Sequence, residues 1–258
     1  MNNMYLGFIG TGKIASSVIT GICNSKILFK KIIVSPRNKV AAEKLKKKFK
    51  KVIIAKNNQE VVDKCKWVFL SITPNVGEKI IKNLNFKASQ MIISFISTIS
   101  LTELKKAIKV KAKIVRAIPL PPISLKKGPV PICPPNKKVK AFFDKIGTAV
   151  EIKNEKSSIN FWTTSGMMAP FYQLLSVMID WLIKRGVKRN NAQKYITSLF
   201  LALSEDAFFN SKKNLKNLVK ESQTPKGLNE QGVKELTKSG FYKSLEKTLN
   251  SIHKRLNK

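Results

Sequence analysis

The residues whose types and spacing could do chemistry come first in Gly10-Thr11-Gly12-Lys13-Ile14-Ala15. Two glycines and a small residue at this spacing suit a turn that receives a pyrophosphate. Gly10 permits the tight turn, Gly12 lets the backbone approach the phosphates, and Ala15 lets the next helix lie close to the preceding strand. About twenty residues later such a turn needs a group for the adenosine ribose, an acid for a free 2′-hydroxyl or a cation for a 2′-phosphate. Here Ser35-Pro36-Arg37-Asn38 stands at that distance with no acid in it. A serine hydroxyl and a guanidinium suit a phosphate, so the expected cofactor is NADP(H).

These residues need elements to hold them. Met4-Tyr5-Leu6-Gly7-Phe8-Ile9 is a short apolar run that predicts a buried strand, and Ile14, Val18, Ile19 and Ile22 repeat at helical spacing after the turn. Strand-like runs follow at 31–34, 52–54, 67–72, 91–96 and 114–117, separated by helical patterns of about ten residues. Asn58 is placed to cap one of these helices. Alternation of this kind predicts βαβ units and a parallel sheet covered on both faces, with the ligand crevice outside the carboxyl ends of the strands. That gathers Gly10, Thr11, Gly12, Lys13, Ile14, Ser35, Arg37 and Asn38 with Ser71, Thr73, Pro74 and Asn75 as cofactor-binding residues. A proline-rich stretch from Pro119 to Pro135 cannot be regular helix, and a last strand-helix-strand piece, 130–152, is expected to close the sheet.

From Ser157 onward the periodicity is helical. Runs at 170–184 and 191–210 are strongly apolar, and two shorter amphipathic helices are expected after them. This is more apolar surface than a few helices can bury among themselves, which predicts a helical domain that buries itself in a second subunit.

Composition narrows the function classes. The chain has 258 residues and a formal net charge of +34 from 49 Lys and Arg against 15 Asp and Glu. Only Arg37, Arg116, Arg185, Arg189 and Arg255 are arginines, and the lysines are spread over nearly every helix. A nucleic-acid surface would gather its cations on one face and interleave aromatics, so no specific nucleic-acid partner is expected. Cys23, Cys65 and Cys133 are far apart and His253 is the single histidine, so neither a disulfide framework nor a metal site is expected. No continuous apolar stretch reaches about 20 residues, so the expectation is a cytoplasmic protein without a membrane span.

Taken together, these residues resemble the pyrroline-5-carboxylate reductase family. The likeness is carried by the glycine turn, Ser35-Pro36-Arg37-Asn38, Ser71-Ile72-Thr73-Pro74, Ile93-Ser94-Phe95-Ile96-Ser97, Val115-Arg116-Ala117-Ile118-Pro119 and the helical C-terminal part. It spans the whole chain. The resemblance implies an α/β Rossmann domain at residues 1–154 that binds NAD(P)H and an all-α dimerisation and substrate domain at 155–258. It further implies a homodimer, often gathered into rings of dimers. The implied reaction is hydride transfer to the C=N carbon of a cyclic imine, giving proline when the substrate is pyrroline-5-carboxylate.

In that family a loop of the pattern Ser/Thr-Pro-Gly-Gly-Thr-Thr holds the substrate carboxylate with backbone N–H groups and the threonine hydroxyls. Thr224-Pro225-Lys226-Gly227-Leu228-Asn229-Glu230-Gln231-Gly232 is the corresponding segment here, with Leu228 and Asn229 in place of the threonines. Ile118-Pro119-Leu120-Pro121-Pro122 replaces Met-Pro-Asn-Thr-Pro, Thr73 replaces a lysine, and Ser165-Gly166-Met167-Met168-Ala169-Pro170 replaces Ser-Gly-Ser-Gly-Pro-Ala. In the segments so altered, Glu230 and Asn229 are the candidate catalytic residues, and Thr224, Gly227, Leu228, Asn229, Leu120 and Met167 the candidate substrate contacts. A buried hydroxyl pair exchanged for Leu and Asn changes substrate preference strongly, so a bulkier or amine-bearing C=N or C=O compound is expected instead of standard pyrroline-5-carboxylate. Two plainer readings stand beside these: Glu230 as a solvated helix-start carboxylate, and Met167 with Met168 as packing residues. The product proton has three sources in view: water, an already protonated iminium, and Glu230; His253 is expected on the surface. Two other functions fit parts of the pattern. One is a non-catalytic NADP-binding dimeric sensor, and the other is an enzyme passing hydride between NADP and a deazaflavin, which shares only the N-terminal half.

Overall fold

The computed structural model describes residues 4–256, without the side chains of Pro74 and Asn75. The chain divides into two compact units, residues 1–158 and 159–258.

The first unit is built on one sheet of β1 (Tyr5–Ile9), β2 (Lys31–Val34), β3 (Val52–Ile54), β4 (Trp67–Leu70), β5 (Met91–Ser94), β6 (Lys113–Ala117), β7 (Pro129–Cys133) and β8 (Thr148–Glu151). Between them run α1 (Lys13–Cys23), α2 (Lys39–Lys48), α3 (Asn58–Lys64), α4 (Pro74–Lys82), α5 (Leu101–Ile108) and α6 (Lys137–Phe143). The spatial order is β3-β2-β1-β4-β5-β6-β7-β8. β1 pairs in parallel with both β2 and β4, so the order reverses beside it and the glycine turn leaves the sheet at that reversal. The sheet is buried on both faces. One layer gathers Phe8, Ile19, Phe69 and Phe143, and the other Ile9, Val68, Ile81 and Ile92. Phe8 and Phe69 stack at 4.4 Å between centroids across neighbouring strands.

Local chemistry sets the helix starts. Ser100 and Glu103 form a reciprocal capping box, with Glu103 N–H donating to Ser100 Oγ at 3.2 Å and Ser100 N–H donating to Glu103 Oε2 at 2.7 Å. Asn57, rather than Asn58, caps α3, its Oδ1 accepting from Glu60 N–H at 2.9 Å. One strand departs from the expected parallel arrangement: β7 runs antiparallel to β6, with Arg116 opposite Cys133. A parallel return needs a crossover of about a dozen residues or more, usually a helix. The proline-rich connection instead forms a single 3-10 turn, Pro121–Leu125, lying against α1. A Cβ at Gly21 of α1 would stand 2.4 Å from the Ile123 carbonyl oxygen, so only glycine allows that approach.

α7 (Glu155–Ser165) leads into the second unit, which continues with α8 (Met168–Ile183), α9 (Arg189–Phe209), α10 (Leu215–Glu221), α11 (Leu228–Lys238) and α12 (Phe241–Leu256). Three helices, not two, therefore follow the long apolar pair. α8 and α9 pack around Ile179, Ala192 and Ile196, the buried apolar residues of this unit. Trp181, Tyr195, Leu201 and Phe209 are exposed. The run Glu155–Ile183 is long and apolar enough to cross a membrane by length and composition. That average is taken over α7 and α8 together with polar residues interrupting the run, so the expectation, which concerned continuous apolar stretches, is not overturned.

Candidate functional site

The first unit brings the residues of the glycine turn and the β2 tip together. Gly10 has φ +99, and a Cβ there would lie 2.2 Å from the Ser71 carbonyl oxygen, so the turn is open only to glycine. Gly10 N–H donates to Ser35 Oγ at 2.8 Å. Ser35 is buried, and its hydroxyl braces the turn from the tip of β2. Thr11 is also buried, and its Oγ1 donates to the Asn38 carbonyl at 3.5 Å, tying the turn to the start of α2. Asn38 caps that helix by accepting from Ala41 N–H at 3.1 Å.

Above Gly12 the space is open, since a Cβ there would meet nothing within 4 Å. Lys13 is exposed and begins α1, whose N-cap Gly12 contributes no side-chain hydrogen bond. An uncapped helix start beside open space is what a pyrophosphate needs, so the residues present fit a dinucleotide. Ile14 is half-buried against the core, while Arg37 and Thr73 are exposed and Ser71 is half-buried at the end of β4. Pro74 and Asn75 begin α4, but their side chains lie outside the described residues. A cleft of about 590 Å³ starts at Thr11, Gly12 and Lys13 and is also lined by Asn38 and Lys44 of α2.

One cluster at the carboxyl edge escaped sequence reasoning. Arg116 of β6 is buried, and its guanidinium donates to Glu155 and to the Ser97 carbonyl oxygen. Glu155 Oε1 also accepts from Leu101 N–H at 2.8 Å, so one ion pair joins β6, the start of α5 and the start of α7. A lone arginine among apolar strand residues, Ile114-Val115-Arg116-Ala117, was the available signal. Leu120 lies just beyond, half-buried at the cap of the 3-10 turn.

In the second unit the loop of residues 224–232 is held by its own side chains. Glu230 Oε2 accepts from Lys226 N–H at 2.6 Å, and Oε1 pairs with Lys234 Nζ at 2.8 Å. The hydrogen bond from Lys234 and then that from the Lys226 backbone hold its carboxyl below the usual value. This is the arrangement of a helix-start carboxylate, the plainer of the two readings of Glu230. Asn229 Nδ2 donates to the Ser222 carbonyl at 2.8 Å, tying the start of α11 back to the end of α10. Thr224 accepts from Gly227 N–H at 2.8 Å through its carbonyl oxygen, and a Cβ at Gly227 would stand 2.2 Å from Thr224 Oγ1. Leu228 is 86% exposed, while Met167 is half-buried at the cap of α8. His253 is partly exposed, and its Nε2 lies 3.1 Å from Asn160 Oδ1. The three cysteines are free thiols, with burial pushing Cys23 up to about 11 and Cys65 up to about 12. No cluster of His, Cys, Asp or Glu able to hold a metal occurs among the described residues.

Comparison with known proteins agrees with this division of labour. Residues 5–98 match the family described as NADP oxidoreductase, coenzyme F420-dependent, and residues 159–258 match the pyrroline-5-carboxylate reductase dimerisation family. No curated protein matches the chain. Among solved structures, 1-pyrroline-5-carboxylate reductase from Streptococcus pyogenes is 23% identical with a TM-score of 0.83, covering 99% of each chain. Plasmodium falciparum pyrroline carboxylate reductase, solved with NADP bound, is 22% identical with a TM-score of 0.82, covering 99% of this chain and 98% of that one. The Coxiella burnetii pyrroline-5-carboxylate reductase is 18% identical with a TM-score of 0.84, covering 98% of this chain and 97% of that one. An NADP-oxidoreductase domain followed by a dimerisation domain defines the class, a dimeric NADP-dependent oxidoreductase. Within it residues 159–258 carry the pyrroline-5-carboxylate reductase dimerisation domain, and the chain as a whole shares the fold of the reductases named above.

Proposed function

We propose that the protein is a cytoplasmic NADPH-dependent reductase that reduces the C=N bond of a cyclic imine other than standard pyrroline-5-carboxylate, with a C=O compound as the alternative acceptor. The observation that carries the reading is the open backbone at Gly12 beside the braced Gly10–Ser35 turn, at the point where the strand order reverses. Gly10, Thr11, Gly12 and Lys13 would hold the pyrophosphate and Arg37 with Asn38 the ribose phosphate, while Ile14, Ser71, Thr73, Pro74 and Asn75 complete the crevice. NADPH bound there supplies the hydride.

The chain's own part is to position and to shield. α11 begins without a side-chain cap on its first N–H groups, which supports a substrate contact at Gly227 and Leu228. The hydroxyls that the family places at 228 and 229 are missing, and the exposed Leu228 offers an apolar contact instead. Thr224, Leu120 and Met167 remain the other proposed substrate contacts. With Glu230 ionised and engaged, the product nitrogen takes its proton from water or arrives already protonated as an iminium.

Assembly of the dimers into a ring belongs to this proposal, as does a domain boundary near residue 154. The internal use of Glu230 and Asn229 favours a second reading, a non-catalytic NADP-binding dimeric sensor. NADPH oxidation by the purified protein separates them, assayed on pyrroline-5-carboxylate, pyrroline-2-carboxylate, piperideine carboxylates and keto acids with amines. Turnover of about 1 to 1000 per second on a compound other than pyrroline-5-carboxylate is expected. Equal turnover of pyrroline-5-carboxylate would remove the altered specificity. NADPH binding with no turnover across the panel would favour the sensor.

A further inference from the structure

The two neutral groups that the β2 tip offers a phosphate are largely committed elsewhere. Ser35 is buried and holds Gly10, while Asn38 is bound through its Oδ1 to Ala41 N–H and keeps only its amide group to donate. Selectivity for a 2′-phosphate must then come from charge. The cleft that opens at the turn is lined by Thr11, Lys13, Ser17, Asn38, Lys44 and Ser124 among others, and by no carboxylate. Glu43 lines an adjoining cleft that shares Val40, Lys44 and Lys48 with this one. Lys48 also reaches this one, but its ammonium stands 5.3 Å over the Phe49 ring. Lys13 and Lys44 have no ion-pair partner among the described residues. Long side chains on a helix lean back toward its N-terminus, so Lys44, exposed on α2, covers the turn that Asn38 begins.

We propose that Lys44, with Lys13 across the cleft, is a specificity-determining residue that binds the 2′-phosphate of the cofactor alongside Arg37. The inference rests on the reading of this crevice as an NADP site. Adenosine 2′,5′-bisphosphate and 5′-AMP are the probes, since they differ only in the phosphate at issue and need no turnover. Calorimetry on the full-length protein should show the bisphosphate binding more tightly. Lys44→Met should weaken the bisphosphate about tenfold and 5′-AMP less than about twofold, with Lys44→Arg retaining the preference. Lys13→Met should weaken both probes, because Lys13 also borders Gly12. The preference should fall as salt is raised in the wild type, and less steeply in Lys44→Met. A wild-type preference that survives Lys44→Met unchanged overturns this inference alone. Equal wild-type affinity for the two probes overturns the NADP reading beneath it.

Discussion

Phe8, Phe69 and Phe143 of the first unit are wholly buried, whereas Trp181, Tyr195 and Phe209 of the second are 53%, 64% and 80% exposed. The first unit closes its apolar layers on both faces of its own sheet. The second has a small core of its own, and its helices present the rest outward in a segment that matches a dimerisation family. The contrast teaches that the two halves obtain stability from different sources: one from contacts within the chain, the other from a second copy of it.

Substitutions can break that contrast or sharpen it. The largest effect is expected from Trp181→Asp, which puts a charge into the face awaiting a partner. It should cost about 3 kcal/mol or more of association energy, read by light scattering as a shift from dimer toward monomer at micromolar concentration. Thiol labelling gives a second measure, because Cys23, Cys65 and Cys133 all lie in the first unit and desolvation raises the pKa of each. If the first unit stands alone, the dissociated variant keeps its thiols as slow to alkylate as the wild type. A burst of labelling would show that the first unit depends on the dimer after all.

Arg116→Leu should come next, at about 3 kcal/mol by thermal denaturation, because it leaves Glu155 without the cation that holds it at the sheet edge. Ser35→Ala should cost about 1 kcal/mol by removing the acceptor of the Gly10 N–H, with a loss of nucleotide affinity beyond the loss of stability. The smallest effect belongs to the second unit and to acid. Glu230 is held below its ordinary 4.5, so it contributes stability above that pH and loses the contribution as pH falls through the lower folded value. Glu230→Gln should therefore flatten the acid limb of helix loss in circular dichroism, and an unchanged acid limb would remove this role.

The sheet was legible because strand runs such as Trp67 to Leu70 alternate with helices that carry their own caps, a pattern that needs no long-range information. The glycine turn was legible for a similar reason, as its geometry is local. What stayed hidden depended on distant partners. The direction of β7 follows from how little helix fits between Ala117 and Pro129. That Ser35 braces Gly10 depends on a contact across 25 residues, and Arg116 finds Glu155 across 39. The partners of Glu230 are local by contrast: Lys226 and Lys234 are each four residues away, a spacing that could be read from the sequence.

Arg116 also says something about how this composition can drift. A chain that uses lysine for nearly all its cations can exchange one for the other cheaply wherever an ammonium in water does the same work. At β6 it cannot. Two separate nitrogens of one buried group reach a carboxylate and a main-chain carbonyl, a spacing that the planar fork has built in, whereas the three donors of an ammonium all sit on one nitrogen. Positions of this kind set the limit to which mutational bias toward lysine can carry a fold.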